Sequence, residues 1–169
     1  MRVVAGVVFV ALLSGAALAQ QQAPVTGRAK SIMADMIAID NKRIPLFGID
    51  APDPDQDREC VLGRAFFGCA SNAKRALDIL LDEGPVTCTD AGAQNYLGYP
   101  YMTCVVNGKD IGEQLVRSGN ALAFKPQSDK YVDAEKAARA AKAGIWQDGI
   151  RFTIPWEWRQ YEGRPLLGP

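Results

Sequence analysis

The sequence contains no histidine. That absence removes the commonest general base near neutral pH and the commonest metal ligand. Any catalysis must then rest on carboxylates, arginine, lysine, tyrosine or a hard cation held by oxygen. There is no Cys-x-x-Cys spacing either, so the usual structural zinc sites are excluded. An excess of positive charge is also missing: Lys plus Arg and Asp plus Glu are 19 each. A strong electrostatic grip on nucleic acid, which comes largely from phosphate neutralisation, is therefore disfavoured, although a local basic patch remains open. Internal repeats and low-complexity segments are absent. The apolar run Val3 to Leu13 is too short to span a bilayer comfortably.

What is present begins with an export pattern. Arg2, the apolar run and small residues ending in Ala17-Leu18-Ala19 form a signal peptide over residues 1–19. A bacterial periplasmic or extracellular location is expected, with no transmembrane segment in the mature chain. Residues 20–24 read as a flexible polar tail, 25–150 as one domain and 151–169 as a tryptophan-rich C-terminal tail packed on or extending from it. The four cysteines, Cys60, Cys69, Cys88 and Cys104, form an even set suited to two disulfides after export. Three pairings are open from the residues alone.

Strand patterns run over Val25–Ile32, Met36–Asp40 and Arg43–Ile49, with Asp40-Asn41 as a turn. Gly63–Leu81 carries helical spacing, with Phe66, Ala70, Ala73, Leu77 and Leu80 on one face. Pro85–Thr89 and Tyr101–Val106 are two further strands, and Asn107-Gly108 is a hairpin signal. Ile111–Arg117 reads as a short helix closed by Gly119. Lys130–Lys142 reads as a longer one, capped by Ser128 or Asp129 and closed by Gly144. The class is α+β, mostly β barrel. Five short strands with a helix between the third and fourth is the order of an OB-fold barrel, here with three helices.

The chemistry is concentrated in "RIPLFGIDAPDPDQD". Acids gathered at a strand end can hold a divalent cation. The spacing Asp53-x-Asp55-x-Asp57 invites an EF-hand, but Arg58 stands where that loop needs glycine and Arg64 where it needs glutamate. The structural alternatives are a strand terminator at Asp50 and a solvated acidic loop. Similarly, the basic residues of 130–142 suit a solvated helix face, and Trp156 and Trp158 suit packing of the tail.

The stretches "KRIPLFGIDAP", "GKDIGEQLVRSGNALAF", "YVDAEKAARAAKAGIW" and "PWEWR" resemble the secreted thermonuclease, or staphylococcal nuclease-like, family over nearly the whole mature length. The resemblance implies an OB barrel with three helices and calcium-dependent hydrolysis of DNA and RNA, with nucleic acid as partner. It assigns the calcium ligands to Asp35, Asp50 and the backbone carbonyl of Ala51, and the general base to Asp53, where the family has glutamate. Pro45 and Tyr99 stand where two phosphate-contacting arginines belong. Leu97, Leu122 and Phe124 stand where tyrosines line the nucleotide pocket. The cysteines resemble those of a bacterial subgroup, for which Cys60–Cys69 and Cys88–Cys104 are the expected bridges.

A guanidinium at a transferring phosphoryl group can be worth about 10³–10⁵ in rate. Its loss at both positions implies an impaired nuclease serving as a binding or interaction module. Two rivals stand beside that: an active calcium-dependent nuclease drawing arginines from Arg28, Arg43 or Arg151, and a protein-interaction module built on the tryptophan-rich tail. Substrate, partner and oligomeric state are not written in the sequence.

Overall fold

The computed structural model describes residues 22–163. The expected signal peptide and residues 164–169 lie outside the described residues. The chain opens with β1 (Val25–Gly27) and β2 (Ala29–Met33), interrupted at Arg28 where the pattern predicts one strand. The interruption has a topological cause: β1 pairs with a later strand, β2 with the next one, so the run changes sheets. β3 (Met36–Ile39) and β4 (Lys42–Pro45) are joined through Asp40-Asn41, both at positive φ (47° and 64°), as a tight hairpin requires. β5 (Ile49–Asp50) ends in the first of the clustered acids.

A 3₁₀ turn over Pro54–Glu59 leads to a small hairpin, β6 (Val61–Leu62) and β7 (Ala65–Phe66), and only then to α1 (Cys69–Asp82). The helical spacing read from Gly63 is thus corrected at its start. Residues 61–66 pair with each other, and Gly68 takes a left-handed φ of 70° that excludes a continuous helix. β8 (Val86–Gln94), β9 (Pro100–Val106) and β10 (Lys109–Asp110) follow, then α2 (Ile111–Arg117). Asp110 caps α2, accepting from the Glu113 amide at 3.0 Å. After β11 (Leu122–Ala123) comes α3 (Val132–Ala140), shorter than expected and without a side-chain cap. Neither Ser128 nor Asp129 caps it, because Tyr131 occupies the N-cap position and is drawn into the core. Its hydroxyl donates to Asp110 at 2.9 Å. Tertiary packing has overridden local capping.

A 3₁₀ turn at Gly144–Trp146 and β12 (Ile150–Arg151) lead to α4 (Pro155–Tyr161), with Pro155 in its first turn, where a missing amide costs nothing. The described residues therefore hold four α-helices, one more than expected, and the extra one lies in the tryptophan-rich tail.

The class is α+β. One sheet runs β1-β8-β9-β10 and another β2-β3-β4. They are joined by the β1–β2 run and by a parallel bridge between Leu46 and Met102. The core between them gathers Ile37, Ile39, Ile44 and Leu46 with Val86, Met102 and Val106, and is covered by Leu77 and Leu81 of α1 and Leu115 of α2. Gly119 and Gly144 touch backbone to backbone. A Cβ on Gly119 would stand 2.1 Å from the Ala143 carbonyl oxygen, and one on Gly144 would stand 2.1 Å from that of Gly119. This contact locks the end of α2 to the end of α3.

Both expected bridges form. Cys60–Cys69 ties the acidic loop to the start of α1, and Cys88–Cys104 joins directly opposed residues of β8 and β9. The second closes a loop of sequence separation 16, for which restriction of the unfolded chain contributes about 3 kcal/mol. Urea denaturation of Cys88→Ala/Cys104→Ala should show a loss of that order. An unchanged midpoint would mean the bridge does not act as a staple.

Candidate functional site

Asp35 sits in the turn between β2 and β3, Asp50 ends β5, and Asp53 precedes the 3₁₀ turn. The fold brings them together. Asp50 and Asp53 are 3% and 7% exposed. Asp35 accepts from the Ala51 amide at 3.4 Å. Carboxylates buried in this way need a cation, and one arrives from the far end of the chain. Arg159, on α4 and 2% exposed, donates through Nη1 to Asp53 Oδ2 at 2.7 Å and through Nη2 to Asp50 Oδ2. Its fork spans two carboxylates, which a lysine's point charge could not do in the same geometry.

Three carboxylates face one guanidinium, and desolvation decides the titration of Asp35 and Asp50. Burial pushes Asp35 up to about 6 against the pull of Arg159, with the Asp53 charge adding to the rise. Burial also pushes Asp50 up to about 7 against the same guanidinium. The retained proton belongs to the cluster rather than to one carboxyl. Burial and the neighbouring Asp35 and Asp50 charges push the nearby Tyr101 phenol up to about 12.

α4 is held over the acids by a second apolar cluster. Cys60, Cys69, Leu122 and Ile145 form its centre, with Phe67, Trp146, Phe152, Ile154 and Trp156 packed around them. Trp156 meets Phe124 at 5.5 Å between ring centroids. Trp146 packs edge-on to Phe152 at 5.5 Å and carries the Arg139 guanidinium 3.6 Å above its ring. Gln56, buried in the acidic loop, donates to the Thr153 carbonyl and accepts from the Asp53 amide at 3.3 Å. The tail is thus latched to the same loop that carries Asp53.

The other positions singled out by sequence divide into two groups. Leu122 lies opposite Asp50 in the β5–β11 pair, and Phe124 stands against α4, so both join the acids. Leu97 and Tyr99 belong to the loop between β8 and β9, whose turn is organised by the Asn95 side chain accepting from both of their amides. Leu97 is 50% exposed at the loop tip. Tyr99 lines a different cleft, and Pro45 is buried in β4 opposite Met36. The Asp53-Asp55-Asp57 run has separate roles along its length: Asp57 accepts from the Ala70 amide at 2.5 Å at the start of α1, while Asp53 binds Arg159. Arg151 donates to the Gly63 carbonyl, Arg43 lines the Tyr99 cleft and Arg28 is exposed. The guanidinium at the acids is none of these three.

With Arg159 in place the donor set does not fit calcium. That ion takes six to eight oxygens, and two of the three carboxylates are engaged by a guanidinium. Among the described residues no group of three or more acidic, cysteine or histidine side chains is arranged to hold a metal.

The family model for staphylococcal nuclease homologues matches residues 43–148. The chain belongs to the staphylococcal nuclease homologue family. Among curated proteins it is similar to the succinoglycan biosynthesis protein ExoI of Rhizobium meliloti (strain 1021), with 34% identity over 128 residues. The match covers 73% of this chain and 65% of the relative, so the chain spans under two thirds of that protein's length. Arg159 lies beyond the stretch matched by the nuclease homologue model.

Arg159 is the residue that sequence reasoning missed. In "PWEWR" the tryptophans suggest packing. The available signal for the arginine is slight: it ends the tryptophan-rich segment. Arg159→Ala should destabilise the protein by about 3–5 kcal/mol in urea denaturation, the cost of leaving buried carboxylates unpartnered. A loss below 1 kcal/mol would show that the pair is not structurally important.

The pH dependence has a defined sign. Asp35 and Asp50 bind protons more tightly folded than unfolded, so stability is fully present below about pH 4 and falls as pH rises through about 6 to 7. Melting temperature measured from pH 5 to pH 8 should decline, and Asp35→Asn should flatten the slope. A rising or flat wild-type profile would contradict this.

Proposed function

We propose that this chain is an exported member of the nuclease homologue family whose catalytic site is closed from within, and that it works as a binding or interaction module on an OB-type barrel. One observation carries the proposal: Arg159 places its charge on Asp50, one of the two side chains that would ligate calcium, and on Asp53, the position of the general base. A guanidinium committed to these carboxylates is not presented to a phosphate. The two positions that would clamp the phosphate hold Pro45 and Tyr99. Transition-state charge in a phosphodiester needs preorganised donors where it develops, and here the cationic donor is turned inward. Two disulfides fit a periplasmic or extracellular setting, and among the described residues no helix is long and apolar enough to cross a membrane. The OB reading rests on the meander β2-β3-β4, the hairpin β8-β9 and the helix between them, joined at the Leu46–Met102 bridge. The similar Rhizobium protein is named for succinoglycan biosynthesis rather than for cleaving nucleic acid.

One observation favours the rival, a calcium-dependent nuclease: Asp35, Asp50 and Asp53 do converge. A digestion assay separates the two. Purified wild type, given DNA or RNA with calcium, should cleave no faster than Asp50→Ala. Calorimetric titration with calcium should show no saturable binding until Arg159 is replaced. Efficient cleavage by wild type, abolished in Asp50→Ala, would overturn the module reading.

A further inference from the structure

Among the described residues β4 is paired along one edge only. β3 occupies that edge, and on the other side β4 reaches β9 only through the Leu46–Met102 bridge that follows it. Ahead of the bridge no strand pairing joins the two among the described residues. Residues 22–25, at the approach to β1, complete the wall of the gap. The result is a cleft of about 480 Å³ whose lining includes Gln22, Asn41, Lys42, Arg43, Tyr99 and Met102. It is distinct from the acid site, and none of its lining residues belongs to α4.

The cleft is cationic in a chain of zero net charge. Lys42 and Arg43 are both exposed, and neither enters an ion pair among the described residues. Sheet register adds a third positive group. Arg43 stands opposite Ala38, and Ala38 opposite Lys30, so Lys30 and Arg43 share one face with only a methyl between them. Lys30 is also without an ion pair among the described residues.

We propose that this cleft binds a carboxylate-bearing oligosaccharide. Each part of the lining suits that chemistry. A guanidinium fork receives a carboxylate in bidentate fashion. The side-chain amides of Gln22 and Asn41 both donate and accept, as neighbouring sugar hydroxyls require. The outward edge of β4 offers backbone donors and acceptors that no strand takes up among the described residues. Tyr99 is half-buried and supplies an aromatic surface with a polar tip, against which the apolar face of a pyranose can lie.

A nucleic-acid strand fits less well. It carries a negative charge about every 3.4 Å, and two carboxylates flank the cleft. Asp90 accepts from the Gln22 amide at 3.1 Å, and exposed Asp40 immediately precedes Asn41 at the hairpin turn. A continuous phosphate backbone meets that repulsion. Each ring of a sugar acid carries hydroxyl donors beside its one carboxylate, so the carboxylate can rest on Arg43 while the hydroxyls donate to the flanking acids, which a DNA backbone cannot do.

The proposal deepens the reading of the chain as a binding module and rests on it, yet the two fail separately. The test is calorimetric titration of the intact exported chain with a short oligogalacturonate, a neutral malto-oligosaccharide of equal length and single-stranded oligothymidylate. Saturable binding of the oligogalacturonate alone is expected, weakened about tenfold or more by Arg43→Ala and less by Arg43→Lys, which keeps charge but loses the fork. Tyr99→Ala should weaken it too. Lys42→Ala provides a second charge deletion if Arg43→Ala does not melt like wild type. Absence of saturable oligogalacturonate binding, binding indifferent to both charge deletions, or tighter binding of oligothymidylate would each overturn the proposal. An active nuclease would sink the module reading while leaving a positive titration in place. A blank titration with an inactive protein would do the reverse.

Discussion

The ion pair between Arg159 and the carboxylates of Asp50 and Asp53 is the constraint to which much of this structure answers. Moving three carboxyl groups out of water is costly, and mutual repulsion adds to the cost. Without a cation, the loop from Asp50 to Cys60 could not lie against the sheets in its observed form. The guanidinium has to come from a rigid support, because a mobile side chain would forfeit in entropy much of what the bonds return. α4 is that support. Its Trp156 rests on Phe124, and the segment before it is held through Gln56 and Thr153. The second apolar cluster can thus be understood as the scaffold that keeps one arginine in register.

That arrangement also explains how the Cys60–Cys69 bridge is placed. Both cysteines are fully buried in the cluster beneath the tail. The bridge fixes the loop's far end, as Arg159 fixes its near end. Asp57 then anchors the middle by accepting from the first amides of α1. An acidic segment that looks solvent-loving by composition is tied down at three points. Its charges are spent on internal partners.

Much of the fold was legible because its signals are local. Asp40-Asn41 and Asn107-Gly108 demand positive φ and receive it. α2 was delimited by Gly119, and both cysteine pairs follow from the strand and loop positions that the family resemblance suggested. Features set by distant partners were less legible. The true start of α1 depends on the pairing of residues 61–66, and the start of α3 on Tyr131 reaching Asp110. At the site, the convergence of Asp35, Asp50 and Asp53 was implied by the family resemblance. Their partner was not, since no periodicity links Asp50 to Arg159 across 109 residues. Trp156 beside it packs the tail against Phe124, as its sequence context suggests.

That separation has a consequence for the order in which the molecule can be completed. A polypeptide emerges from synthesis N-terminus first, so Asp50 and Asp53 exist long before the cation that neutralises them. Until residue 159 arrives, both sheets and all three earlier helices can form, but the acidic loop has no buried partner and stays hydrated. The acidic site therefore closes only once α4 is made. A nascent chain arrested just short of it would hold folded sheets beside acids still in water.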